Sequence, residues 1–184
     1  MKKIILPLIA CLGVASSAFA GQEVKETKEY KAPVEPCFRD HELQLDVFGS
    51  WSSIHDNHDH NRVQDGRPVQ GFGGGFGVNY YFTRYLGVGI DGDASAARRG
   101  LFDVTGELLA RYPIETGGLC LAPYAIVGGG YQGDGVNAGI WHTGGGLEWR
   151  VTHHLGIFAE GRYIWAGLHE EDNVRVSLGV RFVF

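Results

Sequence analysis

The residues of this chain whose types and spacing could do chemistry fall into three groups. His55, Asp56, Asn57, His58, Asp59 and His60 stand side by side, and His55, His58 and His60 are candidate ligands for Zn²⁺, Ni²⁺ or Cu²⁺. A solvated polar loop fixes no ligand geometry, and that is the preferred reading of the stretch. His142 is a candidate base, but its strand offers no serine beside it, so a hydrogen-bonded interior histidine is expected. The third group is a set of acids and arginines: Asp46, Asp91, Asp93, Asp103, Glu107, Glu148 and Glu160 with Arg111, Arg150, Arg162, Arg175 and Arg181. Gly73, Gly74 and Gly75 lie in a strand pattern with no helix after them, so they are not a phosphate-binding loop. No catalytic set and no cofactor are expected.

The elements that position these residues are strands. Glycine reaches 29 of 184 residues, about twice the roughly 7% average, without a collagen period. With 44% apolar and 12% aromatic residues the chain can bury a core. A net charge of −5 without a basic cluster speaks against nucleic acid as a partner. Lys2 and Lys3, the apolar run 4–13 and the small residues Ala18 and Ala20 form a signal peptide over 1–20, cleaved after Ala20. Cys11 would leave too short an apolar stretch for a lipoprotein signal. Residues 21–40 are read as a polar periplasmic arm and 41–184 as the folded domain, with order beginning near Cys37 or His41. No run of 18 apolar residues remains for a membrane helix.

From Leu43 the apolar period is two. Leu43, Leu45, Val47 and Trp51 oppose Gln44, Asp46 and Ser50, and seven further segments follow, ending with Val174, Val176, Leu178, Val180, Phe182 and Phe184 against Arg175, Ser177 and Arg181. The fifth, about 121–131, is apolar on both faces and its parity is open. The polar face decides between water and lipid. It carries acids, arginine and glycine but no lysine, which suits a crowded interior of paired ions, because the planar guanidinium meets carboxylates bidentately. A soluble sandwich or lipocalin-like barrel would show a mixed outer face instead.

Aromatic and large apolar residues recur at a membrane's spacing. Phe72 and Phe82, Phe102 and Tyr112, and Leu155 and Trp165 are each ten residues apart; a tilted strand climbing roughly 2.5 Å per residue then spans the apolar band of about 25 Å. Long connections at 53–68, 95–101, 132–139 and 166–173 alternate with tight turns at 83–85 and 152–154. A repeat at an offset of 69 matches Phe82–Val88 to Val151–Ile157. The fold expected is all-β, an eight-stranded antiparallel up-and-down transmembrane β-barrel.

The stretch Val78-Asn79-Tyr80-Tyr81-Phe82-Thr83-Arg84-Tyr85-Leu86-Gly87-Val88, the block 144–162 and the ending 174–184 resemble the small outer-membrane β-barrel family, whose best-known relative is the transmembrane domain of outer-membrane protein A. The resemblance implies a bacterial outer-membrane location, contact with outer-membrane lipid, and a C-terminal signal with Phe182 and Phe184 read by the barrel-assembly machinery. The peptidoglycan-binding part of the better-known relative's role is not expected to carry over, since the sequence stops at the last strand. The function expected is non-enzymatic, structural or surface-interacting, with a lumen mostly closed by ion pairs. A narrow ion channel and a lipid A-modifying enzyme are the alternatives, although the His-x-Ser-Asn stretch of the deacylases is absent. No feature identifies an extracellular partner. The termini should be periplasmic and the long connections outside.

Once Cys11 is removed with the signal peptide, Cys37 and Cys120 are the two cysteines left, and export carries them into an oxidising compartment. A disulfide between them is expected. It requires the residues before Leu43 to cross the periplasmic mouth, a span within reach of six extended residues.

Overall fold

The computed structural model describes residues 36–54, 70–96, 101–133, 137–166 and 172–184. Nine strands follow in order: β1 Glu42–Ile54, β2 Gln70–Tyr81, β3 Leu86–Ser95, β4 Leu101–Arg111, β5 Ile114–Thr116, β6 Leu119–Gly133, β7 Asn137–Thr152, β8 Leu155–Ala166 and β9 Asn173–Val183. All but β5 belong to one closed antiparallel barrel in which each strand pairs with its sequence neighbours. The ring closes where β1 pairs with β9, from Gln44 opposite Val183 to Ile54 opposite Asn173.

Alternation sets the two faces throughout. On β9 every even residue from Val174 to Phe182 is exposed and every odd one from Asn173 to Val183 is buried. The outer surface is apolar, with Phe72 at 78% exposure and Trp141 at 72%. Water does not tolerate such a contiguous apolar surface, and lipid requires it. Its aromatics lie near the strand ends. Phe72, Phe102, Tyr131, Trp141 and Trp165 ring the end with the long connections, and Phe82, Tyr112, Trp149 and Phe182 ring the end with the short turns.

The parity left open in the fifth segment is resolved: Ala122, Tyr124, Ile126 and Gln132 point inward, and Pro123, Ala125, Val127 and Tyr131 outward. That segment is β6, because the structure inserts a short strand before it. The chain between β4 and β6 forms a hairpin in which Ile114 pairs with Leu121 and Thr116 with Leu119. Gly117 and Gly118, at φ 60° and 85°, form its two-residue turn. Two successive left-handed residues give the turn whose twist matches that of the flanking strands, and glycine adopts them without steric cost.

Packing reaches back to Cys37, the earlier of the two expected starts, since Phe38 is fully buried against Cys120 and Ala122. His41, at φ 55°, turns the chain from this crossing segment into β1. The signal peptide over 1–20, residues 21–35, and His55, His58 and His60 lie outside the described residues.

Candidate functional site

The site is the barrel interior. All twelve acids and arginines expected there point inward and are at most 7% exposed. Inward glycines leave space for them. A side chain at Gly128, for example, would meet the His142 imidazole and the backbone of Glu107.

At the short-turn end Arg181 from β9 forms a two-pronged contact with Asp46 of β1, Nε to Oδ1 at 2.8 Å and Nη2 to Oδ2 at 2.6 Å, while its Nη1 donates to Glu148 of β7 at 2.8 Å. Fork-shaped pairing of this kind is the strong form of a charged hydrogen bond. Arg150 of β7 donates to Glu148 at 2.8 Å and to Glu42 at 2.9 Å, and Arg111 of β4 donates to Glu42 at 2.8 Å. Glu42 therefore joins two arginines. It is absent from the expected network although it stands on the same inward parity as Gln44 and Asp46, one step further back along β1.

Phe38 fills the mouth beneath this cluster. Its ring lies 4.9 Å from the guanidinium carbon of Arg111 and 4.6 Å from that of Arg150, distances at which a cation is attracted to the face of an aromatic ring. Arg150 also donates to the Cys37 carbonyl at 3.0 Å, and Arg111 to the Arg39 carbonyl at 3.3 Å. Nothing in the polar composition around Phe38 announces this role.

Cys37 and Cys120 are joined by a disulfide, with Cα atoms 6.1 Å apart and 83 positions between them in sequence. Closing so long a loop stabilises the folded state by at most about 4.5 kcal/mol in the chain-entropy account. Thiol counting on denatured, unreduced protein should find no reactive thiol at Cys37 or Cys120. Two per chain would show that the bond does not form.

Nearer the long connections, Arg162 of β8 contacts Asp91 and Glu107, each at 2.8 Å, and also Glu160. Arg175 of β9 donates to Asp103 at 2.8 Å and to Asp91 at 3.0 Å, and lies 3.8 Å from Asp93. Neutral groups complete the shell: Ser50 donates to Asp93 at 2.6 Å, Tyr124 to Glu160 at 3.0 Å, and Thr105 to Asp91. His142 is 1% exposed, yet neither ring nitrogen has a hydrogen-bond partner among the described residues. The hydrogen-bonded histidine expected at this position is thus corrected. Gly128 and Ile164 face it on the neighbouring strands and offer no side-chain polar group.

A cavity among Asp46, Asn79, Asp91, Glu107, Glu160 and Arg162 holds about 10 Å³, roughly the room for one water molecule. Among the described residues no three His, Cys, Asp or Glu side chains are arranged to hold a metal ion.

No protein-family model and no curated protein matches the chain. Solved structures do. The N-terminal β-barrel domain of OprF from Pseudomonas aeruginosa is similar at 14% identity with a TM-score of 0.57, over 79% of this chain and 99% of that one. Neisserial surface protein A, NspA, is similar at 14% identity with a TM-score of 0.55, over 77% of this chain and 95% of that one. The outer membrane protein OprG from Pseudomonas aeruginosa is similar at 11% identity with a TM-score of 0.53, over 82% of this chain and 99% of that one. With its closed ring of eight strands, apolar outside and charged inside, the chain has the fold of the small outer-membrane β-barrels.

Proposed function

We propose that this chain is a non-enzymatic outer-membrane barrel, exported by a cleaved signal peptide, with a structural or surface-interaction role and a lumen closed to ions. The observation that carries the reading is the filled interior: five arginines, each touching at least two carboxylates or a carboxylate and a backbone carbonyl, around a cavity of about 10 Å³. A hydrated ion carries several water molecules with it, and this cavity has room for about one. Eight strands also make a barrel just wide enough for side chains to fill.

In this reading the short-turn end, with Phe38 beneath it, faces the periplasm, and the apolar exterior takes outer-membrane lipid. The alternating ending with Phe182 and Phe184 serves as the signal for the barrel-assembly machinery. The fold likeness supports the membrane location.

Planar-bilayer recording tests the closed lumen. The wild type should give no steady unit conductance. Arg162→Ala removes the cation shared by Asp91, Glu107 and Glu160 and leaves space behind, so it should produce discrete openings. Steady, large single-channel currents from the wild type would favour the channel reading instead. A lipid A mass spectrum that changes on expression of the protein would favour the enzyme.

A further inference from the structure

The interior charges divide into two sets whose ion pairs share no residue. At the short-turn end Glu42, Asp46 and Glu148 are matched by Arg111, Arg150 and Arg181, three against three. Among the described residues the other set has Asp91, Asp93, Asp103, Glu107 and Glu160 meeting Arg162 and Arg175, five against two. All of these side chains are buried. An unmatched buried charge costs several kcal/mol even after relaxation, so three carboxylates in excess do not persist as anions without another positive charge.

The register sharpens the conflict. Asp93 and Asp103 are direct partners across the β3–β4 ladder, both 1% exposed and both dependent on Nη1 of Arg175. Like charges placed directly opposite are destabilising. Two adjacent carboxyl groups ordinarily resolve this by holding a proton between them. A second observation is independent of the count. Asp93 Oδ1 accepts no hydrogen bond, and His142 on β7 has two unpartnered ring nitrogens. The imidazole leans over Gly128 towards β4, where its Nε2 and the Cα of Glu107 lie 2.6 and 3.0 Å from the point a Gly128 side chain would occupy. β1 brings Asp46 to the same cavity, where Arg181 of β9 pairs it. β6 brings the Tyr124 hydroxyl onto Glu160, and β1 and β2 also bring the neutral Ser50 and Asn79.

From this imbalance we propose that the carboxyl cluster on β3, β4 and β8 is a proton-binding site, holding protons at neutral pH among Asp93, Asp103 and Glu107 beside His142. Protons fit where other cations do not. The neighbouring cavity has room for about one water, and no metal-holding arrangement is present among the described residues. A folded state that holds more protons than the unfolded chain loses stability as pH rises. The site therefore makes the barrel less stable in alkali, with the short-turn set unaffected.

The test uses the full-length barrel refolded in detergent. Infrared spectra in D₂O at neutral pH should show the carbonyl stretch of protonated carboxylic acid, and Asp93→Asn and Asp103→Asn should each reduce it. Unfolding in urea gives the second reading. Asp93→Asn should keep or raise the midpoint and flatten its fall between about pH 5 and pH 8, whereas Asp46→Asn, in the matched set, should lower the midpoint. Absence of the acid band in the wild type would overturn the proposal. So would an Asp93→Asn midpoint lowered as far as that of Asp46→Asn, since the cluster would then be fully matched by cations. An acid band that appears only after removal of divalent cations with a chelator would overturn it in favour of a metal ion.

Discussion

Arg181→Ala is expected to cost the folded barrel about 3–5 kcal/mol, the usual consequence of removing one partner from a buried ion pair. Arg181 is 1% exposed and holds Asp46 with two prongs and Glu148 with a third. Its guanidinium also lies 4.7 Å from the Phe158 ring, so alanine removes packing as well as charge. Asp46 would keep only the Asn79 amide at 2.9 Å, and Glu148 would keep Arg150. Reversible urea unfolding in detergent measures the loss. A companion variant with Arg181→Met and Asp46→Asn together removes one acid with the arginine, leaves Glu42 and Glu148 against Arg111 and Arg150, and should recover much of it. A single-variant cost below about 1 kcal/mol would mean that this pair is not the strongly coupled contact its geometry indicates.

The second large effect is steric. Gly179 lies on the inward face of β9, and a Cβ there would stand 2.6 Å from the Val47 carbonyl oxygen and 2.7 Å from both the Phe48 Cβ and the Phe158 ring. Phe48 and Phe158 meet edge to face with centroids 6.3 Å apart, held over the space the glycine leaves. Gly179→Val must displace one of these rings and press on the backbone of β1 across the seam. Overpacking ordinarily costs about 1–3 kcal/mol, and the upper part of that range is expected because a carbonyl cannot rotate away as a side chain can. Gly161→Val provides the contrast, since it points outward with nothing within 4 Å and should change stability by less than about 0.5 kcal/mol. Equal urea midpoints for the two variants would refute the steric account.

Much of this architecture was legible because strand alternation is a strong signal when one face meets lipid and the other meets ions. On β9, Val174 to Phe182 could be assigned outward and Arg175 and Arg181 inward from the pattern alone. The β6 stretch could not, because its inward Tyr124 and Ile126 are as apolar as its outward Val127. There the interior is built from rings and aliphatic chains, with Tyr81 and Leu109 packed beside them, so no change of polarity marks the face. β5 escaped notice because three residues are too few to show a period, although Gly117-Gly118 is a strong turn signal. Phe38 was hidden for a different reason. A lone aromatic in a polar arm gains its place only from Arg111 and Arg150, which arrive from distant strands. The division of the charges into a matched and an unmatched set was also illegible, since it depends on which residues each arginine reaches in three dimensions.

The seam between β1 and β9 has a consequence for biogenesis. Its ladder joins a residue near the start of the first strand to the last residue of the last, Gln44 to Val183, and contacts so distant along the chain form slowly because loop closure precedes any gain from them. Until β9 arrives, β1 presents an open edge of unpaired amides and carbonyls beside a row of exposed Leu43, Leu45 and Val47, a surface that invites strand addition by any passing chain. In a chain exported and inserted as proposed above, that edge stays open until the last strand is delivered.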